Sequence, residues 1–138
     1  MKSILNPQKP SGYAFAAAAF VLFASASVTA ADPVEEIAIA KQHAELAVTA
    51  DDLAAVHGHL HYVVNCLVGP HGERFYAKEL NPCQDLGNGA LTDIPVGDSR
   101  HVMLEKALES ALTGLGMSTD EDAKKAAGDT ADYLQKVQ

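Results

Sequence analysis

Tryptophan is absent, cysteine occurs only twice, and aromatic residues make up 6% of the chain. Each shortage excludes something. Cys66 and Cys83 form neither CxxC nor CxxCH, which removes a thioredoxin-type redox pair and covalently attached c-type haem. No HExxH occurs: the run His57-Gly58-His59-Leu60-His61 has the wrong spacing for a zinc protease. Gly87-Asn88-Gly89 lacks the helix that a phosphate-cradling loop would lead into, by the sequence pattern, and its surroundings are acidic. Asp98, Ser99 and His101 are neighbours in sequence, but a triad is defined by geometry, so they do not make one. The expectation is a protein that is not an enzyme. Positive charge is scarce as well, with 10 Lys and Arg against 18 Asp and Glu and a net charge of −8. That balance argues against nucleic acid or anionic lipid as partners and is compatible with cations.

Long apolar runs are confined to one place. Lys2 and Lys9 precede an uncharged run from Ala14 to Val28, and Val28-Thr29-Ala30 followed by Ala31-Asp32 supplies a small-residue cleavage motif. This is the anatomy of a secretory signal peptide over residues 1–31. The run falls short of the ~20 residues a membrane span needs, so no stable membrane insertion is expected after cleavage. The expected destination is the periplasm. Residues 32–138 then form a single domain with a net charge of about −10, since both leader charges are lysines. In an oxidising compartment Cys66 and Cys83 pair by default, closing a loop of about sixteen residues worth roughly 3 kcal/mol by chain entropy.

Four segments carry helical periodicity. Asp32-Pro33 with Glu35 and Glu36 opens the first, whose apolar face is Ile37, Ala40, Ala44, Ala47 and Val48. Asp51 or Asp52 caps the second, which carries Leu53, Val56, Leu60, Val63, Val64 and Leu67 and ends at Gly69-Pro70. The short connection makes these two an antiparallel hairpin. Residues 68–98 are dense in Gly and Pro and read as a long irregular loop, tied down by the disulfide and seated by Phe75 and Tyr76. A third helix begins at Asp98 or Ser99 and ends at Gly114 and Gly116. Ser118 and Glu121 form a capping box for a fourth. The expected fold is all-α: an up-down-up-down four-helix bundle of two hairpins with a long disulfide-pinned loop between helices two and three.

The six histidines are the candidate chemistry. His57 and His61 are one helical turn apart and project from the same face. His43 and His57 lie equally far from a turn centred near Ala50, so they should sit at the same height on adjacent helices. Glu36 lies on the stripe of His43. A metal site of His43, His57, His61 and Glu36 follows, for Cu, Zn or Ni, with cuprous copper a further option. His59 is expected to point away into solvent, His71 and His101 to be solvated or hydrogen-bonded, and Met103 and Met117 to fill core. Two alternatives stand beside metal binding. One is a protein-interaction module that works through the 68–98 loop around Phe75 and Tyr76. The other is a non-covalent haem or small-ligand carrier with His57 or His61 as axial ligand.

The segments AKQHAELAV (40–48), AAVHGHLHYVVNCLVGP (54–70) and HVMLEKALESAL (101–112) resemble the small His-rich periplasmic metal-binding proteins of ammonia-oxidising and related bacteria. Those are helical bundles built from His-Ala steps. The resemblance implies metal buffering or resistance and singles out His43, the His57/His59/His61 run and His101. The last helix, AKKAAGDTADYL, has no histidine, and the NCLVGP…NPC loop is an addition, so one site rather than several is implied.

Overall fold

A computed structural model describes residues 30–138, and the expected leader therefore lies outside the described residues except for Ala30 and Ala31. The described residues are all-α, with five helices and no strand: α1 (Pro33–Val48), α2 (Leu53–Val68), α3 (Ala90–Asp93), α4 (Ser99–Leu115) and α5 (Asp120–Gln135). None of these helices is long and apolar enough to cross a membrane.

Short polar side chains begin four of them. The Asp32 carboxylate accepts from the Glu35 N–H, Asp52 from Ala55 and Asp98 from Arg100, each satisfying a first-turn donor that has no intrahelical partner. On α5 the cap is Thr119, which accepts from the Asp122 N–H, and not Ser118. Ser118–Glu121 and Thr119–Asp122 have the same spacing, so pattern alone could not choose between them.

Packing follows the small residues. Ala40, Ala44 and Ala47 of α1, Ala107 and Ala111 of α4, and Ala123 and Ala127 of α5 are fully buried. Methyl-sized side chains let the helix axes approach, so α1 and α4 both lie against α5, while α2 lies against α1 and α4. Bulk comes from Ile37, Leu60, Leu67, Ile94, Leu104 and Leu134, all fully buried. Truncating any of these leucines or isoleucines to Ala costs about 2–5 kcal/mol. Val48, expected on the apolar face of the first helix, is 39% exposed.

Gly114 does not end α4, which continues to Leu115 with Gly116 as its C-cap. A Cβ at Gly114 would press on the Leu60 side chain and on Ala126, so this glycine lets α4 pass close to α2 and α5. The 68–98 segment also departs from expectation. Its irregular course is interrupted by α3, which starts immediately after Gly89, and Ile94 at its end is a core residue. One turn of helix is too short for a period to show in sequence.

Candidate functional site

The hairpin of α1 and α2 brings two imidazoles together, though not the expected two. His43 Nδ1 lies 3.1 Å from His59 Nδ1, the rings stack with centroids 5.3 Å apart, and Tyr62 meets both edge-on at 5.0 and 5.7 Å. His57, expected level with His43, is not its partner. Residues two apart on a helix differ by about 200° in azimuth, so only one of His57 and His59 can face α1. His59 does. It is half-buried against His43 rather than pointing into solvent.

His57 and His61 occupy the opposite flank of α2. His61 stacks on Tyr76, of the 68–98 segment, with ring centroids 4.2 Å apart. His57 Nε2 and His61 Nδ1 are buried and have no hydrogen-bond partner. Burial pushes the His61 pKa below the usual imidazole range, opposed by Glu79 and assisted by His57. The expected three-histidine cluster is thus divided between two flanks of one helix. Among the described residues, no three His, Cys, Asp or Glu side chains converge to hold a metal ion.

Glu36 is separated from His43 by two helical turns, about 10 Å along the axis. It is fully buried, its Oε1 accepts the Gly89 N–H at 3.0 Å, and its Oε2 has no partner. Burial raises its pKa to about 7. The Gly89 hydrogen bond works against that rise, while Asp93 and Asp32 add to it. Glu36 therefore serves the loop and not the histidines.

The loop is held at several points. Cys66 and Cys83 form the expected disulfide, with Cα atoms 5.2 Å apart. Asn65, fully buried one residue earlier, donates to the carbonyls of Tyr76 at 3.1 Å and Leu80 at 3.0 Å, and its Oδ1 accepts the Tyr76 N–H at 2.8 Å. Asp93 receives the Asn88 backbone N–H at 2.6 Å and its side-chain amide at 3.2 Å. Gly69 and Gly89 have φ of 67° and 100°. A side chain at Gly69 would overlap the Asn88 carbonyl, and one at Gly89 the Gly69 backbone, so the two strands of chain cross here in direct contact. Asn65 was missed in the sequence. Its signal was an amide within Val63-Val64-Asn65-Cys66-Leu67-Val68, since a buried amide must find partners.

Of the remaining histidines, His101 Nε2 is 3.2 Å from the Leu91 carbonyl, with Nδ1 3.5 Å from Glu105, and His71 is exposed on the loop. Met103 and Met117 pack partly buried against the core. A groove of about 690 Å³ runs between α4 and α5, floored by Met117, Ala126 and Tyr133 and rimmed by charges of both signs. It brings together no histidine, cysteine or buried carboxylate.

The chain matches no protein-family model, no curated protein and no solved structure. Function must be argued from the residues.

What the His43–His59 pair can do follows from its protonation. At 3.1 Å, one ring donates its Nδ1–H to the bare Nδ1 of the other. A second proton would set two N–H groups head to head. Burial, and then the neighbouring His59, hold the His43 pKa below the usual imidazole value. Burial therefore favours the neutral His43 ring, the form whose nitrogen lone pair can bind a metal ion. Two nitrogens each bonded to one ion at about 2.0–2.1 Å lie about 2.8–3.4 Å apart in square or tetrahedral geometry, and the observed separation falls inside that range.

Proposed function

We propose that the protein is exported to the periplasm and reversibly binds a divalent transition metal at the first helical hairpin, with His43 and His59 as its protein ligands. The reading takes α1, α2, α4 and α5 as an up-down-up-down four-helix bundle in which α1 and α2 present the pair. The observation that carries it is the 3.1 Å separation of two imidazole Nδ1 atoms. Imidazole nitrogen suits Zn(II), Cu(II) and Ni(II). Cuprous copper bound linearly by two nitrogens would separate them by about 4 Å, so it draws no support from this pair. Relative to the set His43, His57, His61 and Glu36, this reading keeps His43, adds His59 and drops the other three. The acidic surface, net −8 over the chain, favours approach of any cation.

The test is calorimetric titration of chelator-stripped protein with Zn(II), Cu(II) and Ni(II). His43→Ala and His59→Ala should each abolish stoichiometric binding, and His57→Ala with His61→Ala should leave it intact. Equal binding by wild type and His59→Ala would sink the proposal and leave the pair as a shared-proton contact.

A second reading keeps the loop as a surface for a protein partner. Its support is that a loop fixed at so many points presents Leu80 71% exposed and Tyr76 37% exposed. Replacing Leu80 by Ser without effect on any partner's binding would count against it. A haem carrier with His57 or His61 as axial ligand draws less support, because Nε2 of His57 and Nδ1 of His61 are shut off from solvent and Tyr76 covers the His61 ring.

A further inference from the structure

Two nitrogens fill half of a tetrahedral or square shell. The other half cannot come from the hairpin. On α1, the residues one turn either side of His43 are Ile39, Ala40, Leu46 and Ala47, and on α2 those around His59 are Ala55, Val56, Tyr62 and Val63. None is a His, Cys, Asp or Glu, and among the described residues no third such side chain joins the pair. Structural metal sites in proteins close with four ligands.

We propose that a second copy of this chain completes the shell, so that one metal ion joins two protomers through His43 and His59 of each. This rests on the metal-binding reading and adds the partner to it. A two-fold axis through the ion places the same pair on both sides, giving four imidazoles from one self-complementary contact. The surface beside the pair suits such an approach. Leu46 is 40% exposed, Ala55 is exposed, and Ile39 and Tyr62 are half-buried, so the residues flanking the histidines on both helices carry no charge. On a chain of net charge −8 this is a strip across which two copies can meet without direct repulsion. The ion itself offsets the remaining long-range repulsion, and four neutral imidazoles leave its charge intact for that purpose. By contrast Nε2 of His57 and Nδ1 of His61 are buried, and Tyr76 stacks on the His61 ring.

The experiment is sedimentation or light scattering of the purified protein, expressed from the full chain, with Zn(II) or with chelator, beside calorimetric stoichiometry on the same samples. The expected result is a monomer in chelator, a doubled mass with Zn(II), and half a metal ion per chain. His59→Ala should remain monomeric under both conditions, and the His57→Ala, His61→Ala double variant should dimerise as wild type does. Cobalt(II) in place of Zn(II) should give the intense visible bands of a tetrahedral site that vanish in His59→Ala. Circular dichroism of His59→Ala, unchanged from wild type, separates ligand loss from unfolding. Binding of one ion per chain without a change of mass would overturn the dimer and leave the metal reading standing. No binding by wild type would overturn both. A dimer that persists in chelator, or in His59→Ala, would overturn the metal bridge.

Discussion

Glu36 and His43 lie two turns apart on α1, and they sit in contrasting regions. At the Glu36 end, almost every polar group has a protein partner fixed by the chain around it. Asn65 satisfies Tyr76 and Leu80, Asp93 satisfies Asn88, Glu36 satisfies Gly89, and the Cys66–Cys83 bond closes the segment behind them. At the His43 end, one ring-to-ring contact and two edge-on encounters with Tyr62 are all that hold the imidazoles. Constraint from several independent directions produces rigidity, and a single contact between two rings leaves them free to exchange it for another partner. The first region is therefore read as architecture and the second as the place where a cation can enter without unfolding anything.

Breaking each region should cost very different amounts. Removal of the disulfide, as Cys66→Ser with Cys83→Ser, should lower stability by about 3 kcal/mol, because the unfolded chain regains the entropy of a loop spanning 17 positions. His43→Ala with His59→Ala removes one neutral hydrogen bond and should cost only about 0.5–1.5 kcal/mol in the presence of chelator. Urea denaturation of both variants measures the difference. Equal losses would show the two regions to be equally structural and would remove the ground for separating them.

This contrast also marks how far the sequence was legible. Helix starts were readable where one capping residue stood alone, as at Asp32, and ambiguous where neighbours competed, as at Asp51 and Asp52, Asp98 and Ser99, or Ser118 and Thr119. The disulfide was readable from cysteine count and compartment. The loop's internal structure was not, because Glu36 meets Gly89 across 53 positions and Asn65 meets Leu80 across 15, and no local pattern encodes contacts at those ranges. The histidine pair was half legible. Counting from the turn gives height along a hairpin, but choosing His59 over His57 requires knowing how α2 is rotated, which the whole core decides through Val56, Leu60 and Val63. Glu36, expected beside His43, takes Gly89 as its partner instead.

pH separates the regions next. The Glu36 carboxyl titrates near 7 in the folded protein against an ordinary value of 4.5, so between those values the folded state holds a proton that the unfolded state has lost. Stability should therefore fall as pH rises from about 4.5 to about 7. Burial acts in the other direction on His43 and His61, whose lowered pKa values favour the neutral ring, so their contribution is lost as pH falls below the usual imidazole range. Glu36→Gln keeps an acceptor for the Gly89 N–H and cannot ionise. Thermal melts in chelator from pH 4.5 to 8 should show its stability rising with pH where the wild type is flat or falling. Parallel curves for the two proteins would mean that Glu36 is solvated and ionised, and the loop end would lose its central polar anchor.

The smallest expected effect tests whether the histidine flank is as unconstrained as it looks. Gly58 lies in the interior of α2 between His57 and His59, and a Cβ built there meets nothing within 4 Å. Its backbone is helical and needs no positive φ. Alanine should then gain helix propensity at no steric cost, about 0.5–1 kcal/mol, or roughly 2–8 °C in melting temperature for a domain of this size. The open space that makes the substitution harmless faces neither the core nor His43, so Zn(II) titration of Gly58→Ala should match wild type. A stabilised variant with weakened binding would show that the glycine supplies flexibility to His59. In that case the pair closes on its ion through a movement of α2, and the 3.1 Å separation is where that movement starts rather than a site already formed.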